Sequence, residues 1–325
     1  MIEVLEVGLK EMRNDPNLTY SYWYVTGLCN YECHYCDIFH DEKVQDWNLK
    51  KQIVDFFNYW GTVKQQKVLL YGGEPTLDPD FPKIIEGLND YVRVFTNLYR
   101  GVEYWKDIIS IRRDLTISIS YHIHKVNHEQ FLKKVEYLVE ESGVNMIRVK
   151  IMGDSRYRQE SIDKYNFFKG LWKNESRYEC YIDLVFPNSE GNTGAEWVED
   201  DVDWFLPIQG YQTLYLKYRE NGKIKERETS WNEMRATMLE YNHYYHCMAG
   251  VNTLFVNSDG NVYLCKSHNT TPLFSVQDDY KSLQIPQKGM ICSYMGFCCE
   301  TEIPKILVCK RRITNETKNI RSVLT

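Results

Sequence analysis

The sequence predicts an α/β fold: a partial, TIM-like (β/α)6 barrel, followed by a small C-terminal cysteine-rich domain of β-hairpin and helix. Three observations lead there. Strand-like apolar runs alternate with helically spaced ones through the first 186 residues. The stretches between strands are too long for hairpins, so the strands must run parallel with helical crossovers. Six such units fall short of the eight that close a full barrel. The cysteine-rich end is set apart by residues 246–325, which hold six of the ten cysteines.

Each element has its own warrant. Thr19 to Thr26, rich in Tyr, Trp, Val and Thr, reads as the first strand. Ile53, Val54, Phe56, Phe57 and Trp60 recur at helical spacing, which predicts a helix from Trp47 to Trp60 ended by Gly61. Lys67 to Tyr71 reads as the second strand, and Asp80 to Leu88 as a helix with Pro82 near its first turn. Tyr91 to Thr96 is the third strand, Tyr104 to Ile109 a short helix, and Leu115 to Tyr121 the fourth strand. A helix over His128 to Glu141 should stop at Gly143, before a fifth strand over Val144 to Met152. Tyr157 to Lys173 is helical, and Tyr178 to Phe186 is the sixth strand.

Alternation then sorts the strand residues by face. Thr116, Ser118, Ser120 and His122 share one face of the fourth strand, opposite Ile117, Ile119 and Tyr121. In the fifth, Arg148, Lys150 and Met152 oppose Ile147, Val149 and Ile151. The apolar sets should meet the helices, leaving the polar sets to line the barrel.

After Pro187 the pattern breaks. Residues 188 to 203 are polar and acidic, and read as a loop or lid. Glu220-Asn221-Gly222-Lys223 between alternating runs signals a hairpin. Ser230 can cap a helix over Trp231 to Tyr241, with Glu233 placed for a capping box. The expected division is a barrel over 1–186, a lid and hairpin bridge over 187–245, and the cysteine-rich domain over 246–325.

Composition narrows the function. A net charge of −6 and the lack of a long basic block give no electrostatic support for nucleic acid or an anionic membrane as partner. Met1 to Asn17 has no apolar core of a signal peptide, and no apolar run reaches membrane-spanning length. A cytoplasmic location is expected, where cysteines serve as metal ligands rather than disulfides.

Chemistry concentrates in Cys29-Asn-Tyr-Glu-Cys33-His-Tyr-Cys36. Three thiolates spaced x3 and x2 let a tight loop aim three sulfurs at one centre, leaving a fourth corner of an iron–sulfur cubane open. The same loop suits a structural zinc knuckle, for which His34 or His40 would compete as fourth ligand. A second motif, Tyr71-Gly72-Gly73-Glu74-Pro75-Thr76, follows the apolar run Val68-Leu69-Leu70. Gly-Gly at a strand end permits positive φ and close backbone approach, while Glu74 and backbone carbonyls suit an ammonium group. By itself it reads first as a tight turn.

Together the two motifs resemble the radical S-adenosylmethionine superfamily, over at least residues 20 to 152. The resemblance implies a 4Fe–4S cluster on Cys29, Cys33 and Cys36. It implies S-adenosylmethionine bound through its amino group at Gly72, Gly73, Glu74 and Pro75, with Tyr35 beside the adenine. A polar residue on the fourth strand, Ser118 or Ser120, matches the position that meets the ribose. Asn97 matches a frequent asparagine after the third strand, although Leu98 stands where glycine is usual. Lys150 is a candidate partner for the methionine carboxylate, and His122 for proton handling near the substrate. An external electron donor such as a flavodoxin or ferredoxin is implied as partner.

The distal cysteines allow two readings. Ser258-Asp259-Gly260-Asn261 joins Thr253–Val256 to Val262–Leu264, a hairpin that brings Cys247 and Cys265 toward each other. With Cys292, Cys298, Cys299 and Cys309 further on, spacing alone suits a zinc ribbon. Cys247-x12-Gly260-x4-Cys265 resembles the SPASM and twitch extensions of the same superfamily, whose auxiliary clusters are iron–sulfur. The rest of the tail departs from the full SPASM pattern. That resemblance implies one auxiliary 4Fe–4S cluster on Cys247, Cys265, Cys292 and either Cys298 or Cys299, with Cys309 and Cys180 spare or one of them serving the active site.

The expected activity is reductive cleavage of S-adenosylmethionine to a 5′-deoxyadenosyl radical that takes hydrogen from a substrate. With only about twenty residues before the first strand, too few for a leader-binding domain, the expected substrate is a small molecule. The alternative is a peptide, crosslinked or epimerised. A third reading, of another class, is a non-catalytic zinc- or cluster-binding protein.

Overall fold

The structure, a computed structural model, describes residues 2–9, 15, 17–36, 44–184, 213–230, 245–247, 251, 253–264, 271–282, 290–292 and 308–309. The expected lid, the helix over 231–241, His40, Cys265, Cys298 and Cys299 lie outside the described residues.

The strands, in chain order, begin with β1 (Ile2–Leu9) and β2 (Thr19–Tyr24). Then come α1 (Trp47–Val63), β3 (Gln66–Tyr71), α2 (Phe81–Gly87), β4 (Tyr91–Thr96), α3 (Val102–Ile111) and β5 (Thr116–Tyr121). α4 (His128–Glu136), β6 (Met146–Gly153), α5 (Arg158–Leu171) and β7 (Tyr178–Leu184) complete the alternation. All six strands β2 to β7 pair in parallel and in chain order. The face assignment holds: Ile117, Ile119, Ile147, Val149 and Ile151 are buried against the helix layer with Phe131, Val135 and Phe168.

Two helix ends differ in detail from the expectation. Gly61 does not end α1, which runs on to Val63. A Cβ on Gly61 would meet the Asp90 carboxylate at 2.0 Å, so this glycine lets the helix lie against the loop before β4. α4 continues as a π-turn over Tyr137–Glu141 before Gly143, whose φ of +68° ends it as expected.

The remaining strands are β8 (Thr213–Glu220), β9 (Lys223–Ser230), β10 (Tyr245–Cys247), β11 (Thr253–Val256), β12 (Asn261–Tyr263), β13 (Phe274–Ser275), β14 (Met290–Cys292) and β15 (Val308–Cys309). The β8–β9 hairpin turns at Asn221 and Gly222, both at positive φ, and β1 adds to it antiparallel. β11 joins the main sheet, pairing in parallel with β2, and β12 and β13 follow it, giving nine strands. The hairpin at Ser258–Asn261 thus extends the main sheet. Stacking of Phe255 on Tyr22, ring centroids 4.6 Å apart, joins the two at the inner face. No helix among the described residues is long and apolar enough to cross a membrane.

Candidate active site

The C-terminal ends of parallel strands gather the groups, as such a sheet requires. The turn after β3 is built on close approach. Gly72 has φ +149°, and a Cβ there would lie 2.4 Å from the Thr26 carbonyl oxygen. On Gly73 a Cβ would lie 2.1 Å from the Leu28 carbonyl oxygen. Without side chains, the Gly73 amide donates to Thr26 O at 2.8 Å and the Glu74 amide to Leu28 O at 2.6 Å. The Gly-Gly pair therefore fixes the chain immediately before Cys29.

Glu74 is fully buried and turned into the protein. Its carboxylate accepts from the Thr76 amide (3.2 Å) and hydroxyl (2.6 Å), the Thr96 hydroxyl (2.8 Å) and the Asn97 amide (2.6 Å). Burial pushes its pKa up while these four donors pull it down. Three of these donors meet Oε1 and one meets Oε2, so Oε2 keeps a lone pair to offer. The side chain ties the β3 turn to the end of β4. Pro75 opens a short 3-10 turn over Pro75–Leu77 that Glu74 caps. Behind it Lys50 of α1, itself buried, pairs with Asp78 at 2.7 Å and Asp80 at 3.0 Å.

The cysteine loop is anchored at four strand ends. At β3 it is held by the turn just described. At β4, Asn97 Nδ2 donates to Asn30 Oδ1 at 2.8 Å and lies 4.0 Å from Cys29 Sγ. Leu98 takes the φ of +59° that glycine would have allowed freely, and its amide donates to Thr96 Oγ1. At β5, His122 meets Tyr35 and Cys33: Nδ1 lies 2.6 Å from the Tyr35 hydroxyl and 3.5 Å from Cys33 Sγ. At β6, His34 Nε2 stands 3.1 Å from Asp154 Oδ2, beside Arg156. His34 is thus occupied at the strand end rather than turned toward the thiols as a fourth zinc ligand.

The thiols are unoxidised and half-buried. Burial raises the pKa of Cys29 and pushes that of Cys33 up to about 11, so both are held protonated until a metal displaces the proton. Among the described residues no three His, Cys, Asp or Glu side chains are drawn close enough to hold a single ion. Burial and the Lys150 charge push His122 down to about 3, so its ring is neutral. Its Nδ1 is engaged by the cysteine loop.

Ser118, buried, accepts from Arg93 Nε at 2.7 Å; Ser120, one step nearer the strand end, is half-buried and opposite Lys150 in register. Lys150 pairs with Asp183 of β7 at 3.4 Å, an ion pair that sequence reasoning did not find because the partner lies on another strand. Cys180 is turned toward the helix layer, its sulfur 3.9 Å from the Tyr165 carbonyl, away from these groups.

Of the distal cysteines, the described Cys247, Cys292 and Cys309 fall on a separate sheet of order β14-β10-β15. Cys292 and Cys309 both register with Tyr245, one on each side, and Cys247 is two residues along β10. The three positions share one face of that sheet.

Residues 23–142 match the Radical SAM superfamily. A GTP 3′,8-cyclase of Psychromonas ingrahamii is 36% identical over 66 residues, which is 20% of this chain; the chain matches about one fifth (20%) of that relative's length. Among solved structures, anSMEcpe with AdoMet bound aligns with a TM-score of 0.54 at 17% identity, over 80% of this chain and 78% of that one. Native anSMEcpe with AdoMet and the Cp18Cys peptide aligns at 0.51 and 18%, over the same shares of 80% and 78%. At such identities the likeness is one of fold.

Proposed function

We propose that this chain, which carries a radical SAM domain over residues 23–142, binds a 4Fe–4S cluster on Cys29, Cys33 and Cys36 together with S-adenosylmethionine, and uses them to take a hydrogen atom from a substrate. The observation that carries this is the convergence of four strand ends on a single three-cysteine loop. The residues fit the group. The thiols are not tied up in disulfides, and the Gly72–Gly73 turn packs directly on the chain that leads into Cys29. Asn97 Oδ1 is buried with no hydrogen-bond partner among the described residues, an acceptor waiting for a donor.

When bound, the reduced cluster supplies the electron that cleaves the sulfonium to methionine and a 5′-deoxyadenosyl radical. The chain's own groups position. The Gly72–Gly73 backbone takes the methionine ammonium, with Glu74 Oε2, which has one donor, as the acceptor beside it. Asn97 Oδ1 accepts from the ligand. Ser120 suits the ribose better than Ser118, which Arg93 already engages. The Lys150 ammonium has its charge matched by Asp183, and Tyr22, Tyr24, Tyr71 and Phe255 pack ring on ring beside the Gly72–Gly73 turn.

The substrate we favour is a small polar molecule that meets the Lys150–Asp183 pair. The second reading is a peptide, for which the likeness to anSMEcpe, solved with a peptide bound, is the support. For the auxiliary cluster the support is register. Cys247, Cys292 and Cys309 are register neighbours on one face of one sheet, and Cys309 joins Cys247 and Cys292 as a ligand candidate.

Anaerobic reconstitution tests the assignment. Brown protein with roughly eight irons per chain, four per cubane, and 5′-deoxyadenosine on dithionite reduction is expected. Colourless protein with stoichiometric zinc would make it a binding protein instead. Deuterium traced from candidate small molecules or peptides into 5′-deoxyadenosine separates the two substrate readings.

A further inference from the structure

We propose that Tyr35 and His122 form a hydrogen-bond relay onto the Cys33 sulfur that sets the reduction potential of the cluster bound there. The inference rests on the cluster assignment above. Three atoms make it: Tyr35 Oη and His122 Nδ1 are 2.6 Å apart, Nδ1 is 3.5 Å from Cys33 Sγ, and the Tyr35 hydroxyl itself hydrogen-bonds Cys33. The rings of Tyr35 and His122 are parallel to within 5°, with centroids 6.0 Å apart, and Tyr31 packs edge-on against the same imidazole at 5.6 Å. This packing leaves both rings little freedom to turn away.

The direction of the relay follows from proton counting. A neutral imidazole has one N–H. A cysteine that ligates iron has given up its proton and offers only lone pairs. If the imidazole proton is on Nδ1, it donates to Tyr35 Oη, and the phenolic proton is released to Cys33 Sγ. The other tautomer spends the phenolic proton on Nδ1 and leaves the sulfur without a donor from either residue. Ligation of Cys33 therefore selects the Nδ1–H form. A donor on a ligand sulfur stabilises the extra negative charge of the reduced cluster, so it raises the potential. Tyr35 acts on the sulfur as donor, and His122, whose 2.6 Å bond to the phenol holds the Nδ1 proton in preference to its 3.5 Å contact with the sulfur, is a positioning residue that acts mainly through Tyr35.

The test is an anaerobic redox titration of wild type, Tyr35→Phe, His122→Phe and, as control, Tyr31→Phe. Each protein is first checked for iron content, and the reading is the electron paramagnetic resonance signal that responds to added S-adenosylmethionine. Tyr35→Phe should shift the midpoint negative by about 59 mV, a tenfold change in a one-electron equilibrium. His122→Phe should shift it the same way by less, and Tyr31→Phe should leave it in place. An unmoved potential in fully loaded Tyr35→Phe overturns the relay. So does a larger shift in His122→Phe, or an equal one in Tyr31→Phe. Should Tyr35→Phe load no cluster, His122→Phe decides: no negative shift there overturns the relay. Wild type that takes up no cluster would sink the assignment beneath it, whereas a loaded wild type with unresponsive variants sinks the relay alone.

Discussion

Cys29, Cys33 and Cys36 lie within eight residues on one loop, whereas Cys247, Cys292 and Cys309 come from three strands that span 63 residues of chain. In the first set the chain itself fixes the separation of the sulfurs, and distant strand ends fix how the loop is held. In the second set nothing local brings the positions together; strand pairing does all of it. The two sets should therefore fail independently and for different reasons. The partition of bound iron between them is the reading that breaks or sharpens this contrast.

The largest effect should come from the thiols. Cys29→Ala, Cys33→Ala or Cys36→Ala should abolish 5′-deoxyadenosine formation and remove about half the iron, the equivalent of one cubane. Cys247→Ala should remove the other half and leave cleavage of S-adenosylmethionine measurable. Iron analysis beside product chromatography checks both. Loss of all iron from either single change would mean that the two sets are one structural unit.

Next is Gly73→Ala. The added methyl would sit 2.1 Å from the Leu28 carbonyl oxygen, and backbone cannot swing aside as a side chain can. About 3 kcal/mol of stability should be lost, as for other overpacked buried sites, with the first cluster lost and the distal one kept. Urea unfolding measures the first quantity and iron content the second. Lys50→Met should cost a similar amount, about 3 kcal/mol or more, because Asp78 would be left buried without its cation. Lys51→Ala, which breaks only the exposed pair with Asp55, should cost about 0.5 kcal/mol or less. If the two lysine variants unfold alike, Lys50 is not the support behind the turn.

What could be read from sequence follows the same division. The cysteine spacing, the Gly-Gly turn and the alternation of β5 and β6 are local patterns, and local patterns survive in a string of letters. The parallel pairing of β11 with β2 does not, because Tyr22 and its register partner Phe255 stand 233 positions apart and no periodicity reports a partner strand. For the same reason β1, which pairs with β8, went unread. Glu74 was visible as a carboxylate on a turn, but its donors Thr96 and Asn97 sit on the next strand's end, so its buried, tying role was hidden. Leu98 shows the converse: a missing glycine left the backbone path open, and the chain accepts the positive φ with a β-carbon in place. Tertiary contacts decided each of these against the local preference.

The smallest effect tests how finely the loop is held. Asn97 reaches the cysteine loop through a hydrogen bond to Asn30 and a longer contact with Cys29 Sγ, and its own oxygen is open to a ligand. Asn97→Ala removes all of these but leaves the Asn97 amide bond to Glu74 intact, so the turn should stay closed. A bond of this kind contributes about 1 kcal/mol, near fivefold in an equilibrium. The variant should load both clusters, release the first to a chelator a few-fold faster than wild type, and bind S-adenosylmethionine a few-fold more weakly. The distal cluster should be released at the wild-type rate. Chelator kinetics and equilibrium dialysis give the two numbers separately. Weaker binding with unchanged release would assign Asn97 to the ligand alone, and faster release with unchanged binding would assign it to the loop alone.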